Sequence, residues 1–214
     1  MLTIVVIAKE CIPGKVKTRL HPPLSYEEAA DVASASLADT LETVRALPFT
    51  RLVLAFDGEN VPAEAHGFEV LPQIAGTLDQ RLAAIFDTIE GPMVLIGMDT
   101  PQVSRASLES VLTGWRADVD AWMGPASDGG FWALGMRDPD GSLIRGVPMS
   151  RDDTGKLQLE RLHSAGLTVR LLPTINDIDT IDDALEVSEL VPTSRFGRAF
   201  RAVSRRLVAE HATS

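Results

Sequence analysis

The sequence predicts an α/β protein with a mostly parallel sheet and helices on both faces. Three observations lead there. Short apolar runs alternate with amphipathic stretches along the 214 residues. The runs 2–8 (LTIVVIA) and 92–99 (PMVLIGMD) are continuous rather than alternating, as strands buried on both faces are. Several amphipathic stretches open with the capping box that marks a helix N-terminus. Strand–helix alternation of this kind gives a sheet covered on both sides. Such sheets bind ligands beyond the carboxyl ends of their strands. The loops of interest are therefore 9–24, 57–60, 73–77, 98–103, 124–130 and 173–179.

Each element follows from local pattern. After the first strand, Ser25 and Glu28 form a capping box, and Val32, Leu37, Leu41 and Val44 continue a helical stripe to about Leu47. RLVLAF (51–56) and FEVLP (68–72) read as strands. Thr77 and Gln80 open a helix through Ile89 with Leu78, Leu82, Ile85 and Phe86 on one face. The strand 92–99 ends in Asp99, and Ser104 starts a helix to about Trp115. VDAWMG (119–124) and GFWALGM (130–136) are strands around the loop PASDGG. A helix from Thr154 to Ala165 closes at Gly166, which suits a C-terminal cap. TVRLLP (168–173) is a strand, and Thr180 with Asp183 begins another helix. The tail from Ser194 carries five arginines up to Arg206, with Phe196, Phe200, Val203 and Leu207 at helical spacing. It reads as a terminal basic helix docked by its apolar face.

Composition excludes several classes. The formal net charge is -10, which disfavours the broad phosphate contacts of nucleic-acid binding. No apolar run reaches the ~20 residues that span a bilayer. The N-terminal run lacks the basic leader of a secretory signal. Cys11 is the single cysteine, so no intramolecular disulfide forms, and a cytoplasmic setting is the simplest expectation. The four histidines show no zinc-ligand spacing.

Against this acidic background, three of the four lysines crowd into IAKECIPGKVKTRL (7–20): Lys9, Lys15 and Lys17, joined by Arg19. Compact cations and a forked guanidinium at the end of a buried strand suit phosphate groups. Gly14 lets backbone N–H groups approach a ligand. The stretch is neither GxxxxGK[ST] nor GxGxxG, and a solvated loop is the plain alternative. Asp99 in GMDTP suits a divalent cation, since Mg²⁺ takes one or two carboxylates and completes its shell with water and phosphate oxygens; capping a turn is the alternative. Asp177 and Asp179 in NDIDT alternate along an extended segment and so share a face. With Asp99 they are the candidate metal ligands, while Asp182 and Asp183 belong to a helix start. Gln73 and Gly76 are candidates for reading a base or sugar. Asp128, Gly129 and Gly130 suit either a ligand loop or a hairpin turn. Cys11 beside Lys9 has the setting of a lowered thiol pKa, although a lone loop cysteine is more often incidental.

Taken in order, AKECIPGKVKTRL, GMDTP, PASDGGFWALG and DIDTIDDA resemble the conserved blocks of the DUF2064 family. That family lies in the nucleotide-diphospho-sugar transferase (GT-A) superfamily, near the molybdopterin guanylyltransferase and phospholactate guanylyltransferase groups. The matching blocks run from Ile7 to Leu185, and the resemblance implies a Rossmann-like GT-A domain; with the tail read as a basic helix over 193–214, that domain spans residues 1–192. It implies that Lys17 and Arg19 meet the phosphates, supported by Lys9 and Lys15. Asp99, Asp177 and Asp179 would then hold Mg²⁺ or Mn²⁺, and Asp128 to Phe131 would face the acceptor. Cys11 stands where the family usually has proline. Met149 and Arg151 depart from its tryptophan–serine–threonine pattern on the acceptor side. The expected activity is a Mg²⁺-dependent nucleotidyltransferase that joins a nucleotide to a phosphorylated or carboxylated small-molecule acceptor. Transfer of sugar from an NDP-sugar is the alternative, and a non-catalytic nucleotide-binding module is a further one.

Overall fold

The computed structural model describes residues 1–48, 50–113 and 115–212. Its strands are β1 (Leu2–Lys9), β2 (Thr50–Asp57), β3 (Glu69–Pro72), β4 (Met93–Gly97), β5 (Ala121–Pro125), β6 (Phe131–Met136) and β7 (Val169–Leu171). They form one sheet in the order β3-β2-β1-β4-β6-β5-β7. The strands β3, β2, β1 and β4 pair in parallel. Strand β6 runs antiparallel to both β4 and β5, and β7 is parallel to β5. All strands except β6 therefore point the same way, and the six loops singled out above share one edge. The exception follows from the short 126–130 loop, which is long enough for a hairpin and too short for a crossover.

The helices are α1 (Tyr26–Arg45), α2 (Leu78–Thr88), α3 (Arg105–Leu112), α4 (Thr154–Ser164), α5 (Ile181–Leu190) and α6 (Arg195–Ala212). The capping boxes at Ser25, Thr77 and Thr180 form as expected. The continuous apolar run of β1 is divided between two cores. Ile4 and Val6 face α1 and α3 through Leu37, Leu41, Val44 and Leu108. Val5 faces α2 and α4 through Leu82, Ile85, Phe86 and Leu162. Each fully buried aliphatic or aromatic side chain contributes about 1.5–3 kcal/mol, which fixes the sheet between its two helical layers. No helix among the described residues is long and apolar enough to cross a membrane.

Some boundaries differ from the pattern reading. Helix α3 stops at Leu112, three residues before Trp115, whose indole N–H instead donates to the Val119 carbonyl at 2.7 Å. Strand β7 is shorter than 168–173, though its flanks keep ladder bonds from Asp120 N to Thr168 O and from Leu172 N to Met123 O. Helix α6 lies on α1 and α5, burying Phe196 and Phe200 with Leu20, Leu24 and Val32. The buried Asp39 of α1 accepts from the backbone N–H groups of Arg195 (3.0 Å) and Phe196 (2.8 Å), satisfying two orphan donors of α6.

Candidate active site at the switch point of the sheet

The chain runs from β1 to β2 on one side of the sheet and returns to place β4 on the other side of β1. A crevice opens at such a switch point, outside the carboxyl ends of the two central strands. The loop after β1 is held there by its apolar residues. Val16 is buried against Ala30 and Ala33 of α1, and Leu20 joins the cluster under α6. Between them, Lys17 takes a left-handed backbone (φ 46, ψ 38), a conformation that costs a non-glycine residue about 1 kcal/mol or more. This turns its side chain inward. Only 7% of that side chain is exposed, and its ammonium lies 3.1 Å from Asp99 Oδ1. The ammonium also donates to the Ile178 carbonyl. Arg19, which stays largely exposed, pairs with Asp179.

The 173–179 segment reaches the crevice as an extension of the sheet edge. Ile175 pairs with Ala126, its N–H donating to Pro125 O, and its carbonyl accepts from Ser127 N. Ile178 N then donates to Asp99 O at 3.1 Å, so the late acids are laid against the loop after β4. Gln102 Nε2 donates to the Asn176 carbonyl and adds a second tie. Asp177 is the strained charge of the group. Burial, then Asp128 and Asp179, push its carboxyl up to about 6, against the pull of Lys17. Its Oδ1 is buried without a hydrogen-bond partner among the described residues. Asp99 Oδ1 meets the Lys17 ammonium as an ion pair and accepts no hydrogen bond from the other described residues.

The expected trio Asp99, Asp177 and Asp179 is thus brought to one crevice but not around one point. Among the described residues, no three acid, histidine or cysteine side chains converge as ligands of a single ion. Two of the acids instead hold protein cations, Asp99 with Lys17 and Asp179 with Arg19.

The other candidates are placed as follows. Lys9 Nζ donates to the Lys15 carbonyl at 2.9 Å and so braces the loop, while the Lys15 side chain is exposed. Gly14 sits at φ +74 at an open turn. Gln73 donates both amide hydrogens inward, to Ala8 O (2.8 Å) and Ala55 O (2.7 Å). It clamps the ends of β1 and β2 rather than presenting its amide to a base. Gly76 makes room for the capping side chain of Gln80, whose Oε1 would lie 2.5 Å from an added Cβ. Asp128 Oδ1 accepts from Gly130 N at 2.8 Å, the bond of a tight turn. Gly129 and Gly130 meet the start of α4: Gly155 N donates to Gly129 O at 2.8 Å. The close approach that Gly129 permits is to the Asp152 carbonyl. Phe131 is half-buried and packs against the core cluster to which α2 and α4 contribute.

Cys11 lacks the lowered thiol pKa that its neighbour Lys9 suggests and fits the incidental reading. Burial and the nearby Asp99 raise its thiol to about 11, outweighing Lys9, so it is not a reactive thiolate. Two features carry no clear sequence signal. Glu10 accepts from the backbone of Glu59 and Asn60 and from the Asn60 amide, joining the loops after β1 and β2. Arg81 of α2 reaches Asp57 at the end of β2, at 2.8 Å. The two lie 24 residues apart in sequence.

A profile of the family described as uncharacterized proteins conserved in bacteria (DUF2064) matches residues 40–151, more than half of the chain. Comparison with curated proteins gives no match. Among solved structures, a candidate nucleotide-diphospho-sugar transferase from Desulfovibrio desulfuricans G20 superposes with a TM-score of 0.83, at 24% identity over 95% of both chains. CMP:2-keto-3-deoxy-manno-octonic acid synthetase complexed with CTP superposes at 0.55, with 13% identity over 88% of this chain and 99% of its own. A cytidylyltransferase from Leptospira borgpetersenii serovar Hardjo-bovis (strain JB197) gives 0.56, with 16% identity over 97% and 95%. At these identities the likeness establishes the fold. Read with the profile match and the switch-point crevice, it leads to one conclusion: the chain belongs to the DUF2064 family and carries the Rossmann-like fold of the nucleotide-diphospho-sugar transferases.

Proposed function

We propose that the protein is a nucleotide-utilising transferase and, within that class, a nucleotidyltransferase. The observation that carries this reading is the meeting of Lys17 and Arg19 with Asp99 and Asp179 at the switch point of the sheet. Cations and carboxylates at one crevice suit a triphosphate bound with a divalent cation. The likeness to a synthetase bound to CTP and to a cytidylyltransferase favours an NTP donor. In the reaction, an acceptor oxygen attacks the α-phosphorus. The bond from that phosphorus to the bridging oxygen breaks, and pyrophosphate leaves with the electron pair. Lys17 and Arg19, with Lys15 at the exposed rim, offset charge on the phosphates, so catalysis is mainly positioning and electrostatics. The acceptor side falls to Asp128 and its loop, beside Asp177.

Mg²⁺, or Mn²⁺, suits the residues present. Among the described residues, the buried Asp177 Oδ1 has no hydrogen-bond partner, and the buried Asp99 Oδ1 is held by the Lys17 ammonium alone; both are carboxylate oxygens of the kind Mg²⁺ takes. When bound, the ion would neutralise phosphate charge and hold the donor in line.

Thermal shift with each NTP and a set of NDP-sugars, with and without Mg²⁺, tests this. Near a hundredfold excess over Kd, the right NTP with Mg²⁺ should raise Tm by about 5 °C or more. A larger rise with an NDP-sugar would move the reading to glycosyl transfer. No rise with any nucleotide would overturn it.

A further inference from the structure

Lys17 is the one lysine of its loop whose side chain is almost fully buried, and its placement is unusual for a group meant to wait for phosphate. Its backbone is held left-handed, and its ammonium is spent on Asp99 and the Ile178 carbonyl. Without such a counter-charge, Asp99 would add a further negative charge to a crevice that already holds Asp128, Asp177 and Asp179. Lys17 also ties together three separate segments: the loop after β1, the loop after β4 and the 173–179 strap.

Resting on the nucleotide reading above, we propose that Lys17 is a tethered counter-cation of the acid cluster, held by Asp99 and the Ile178 carbonyl. It is exchanged when a metal–polyphosphate complex enters. The divalent cation takes Asp99, and the freed ammonium takes a phosphate oxygen. Each ligand accepts the partner that the other releases, so the site disfavours a bare cation and favours cation and polyphosphate together. The left-handed backbone keeps Lys17 at the junction in both pairings.

The test measures Mn²⁺ binding by electron paramagnetic resonance on the full chain without nucleotide. Wild type is compared with Lys17→Met and Lys17→Asn. Asparagine tolerates the left-handed backbone, so the second variant remains informative if the first folds poorly. Both variants should bind Mn²⁺ about tenfold more tightly than wild type, the size of a single close charge coupling. With Mn²⁺ saturating, both should be stabilised less than wild type by inorganic tripolyphosphate in thermal shift. Equal Mn²⁺ affinity in wild type and both variants would overturn the proposal, as would no measurable Mn²⁺ binding in any of them. Tighter Mn²⁺ binding with undiminished response to tripolyphosphate would overturn the exchange. These Mn²⁺ arms concern Lys17 alone, whereas the transferase reading fails or stands on the wild-type nucleotide panel.

Discussion

At the residue scale, the crevice is governed by which acids have partners. Asp99 and Asp179 do; Asp177 does not, and its carboxyl is raised to about 6 from 3.8. A raised carboxyl pKa means that the folded state holds its proton more tightly than the unfolded state. The resulting cost to stability is present above about pH 6 and absent below the unfolded value. Asp177→Asn should therefore raise Tm in metal-free buffer at about pH 7.5, and the gain should shrink to nothing near about pH 4. Calorimetry with chelator at both pH values checks this. A gain independent of pH would mean that charge relief is not the cause. Cys11 shows the limit of arguing from neighbours in sequence. Lys9 is two residues away, but burial and Asp99 act on the thiol more strongly.

At the element scale, the 124–130 loop is a hairpin whose tip is built against α4. Gly129 has φ +90, and an added Cβ would lie 1.8 Å from the Asp152 carbonyl oxygen. Both facts require glycine. Gly129→Ala should cost at least about 2 kcal/mol, through backbone strain and displacement of the α4 N-terminus. Urea unfolding should show a lower midpoint with an unchanged m-value; an unaltered midpoint would mean that the loop and α4 separate easily. The paired glycines were legible as a tight turn in the sequence. That the turn leans on Asp152 and Gly155 was not, because the contact joins residues more than 20 positions apart.

At the scale of the whole molecule, α6 is part of the structure that supports the crevice. Phe196 is fully buried and stacks with Phe200 at a centroid distance of 6.0 Å. Their cluster includes Leu20 and Leu24, which end the basic loop. Phe196→Ala should destabilise the protein by about 3–5 kcal/mol, measured by urea unfolding. A loss under about 1 kcal/mol would mean that the cluster collapses around the change at little cost.

The sequence alone determined the α/β class, the strand–helix order, most helix starts and the edge that gathers the loops after the parallel strands. These rest on short-range physics: continuous apolar runs, helical stripes and capping side chains within four residues of their targets. It also placed the cationic loop and the acids on that edge. Only the tertiary structure decided how they pair. Lys17 meets Asp99 across 82 positions, and Arg19 meets Asp179 across 160. Such contacts depend on strand order, on the strap of residues 173–179 along β5 and on one left-handed lysine, none of which has a local signal. Gln73, Gly129 and Gly130 were legible as residues at that edge, but their hydrogen bonds and steric contacts within the chain emerge only when β1, β2 and α4 are packed. Local pattern fixes which residues reach the crevice; long-range packing decides which charges neutralise one another there.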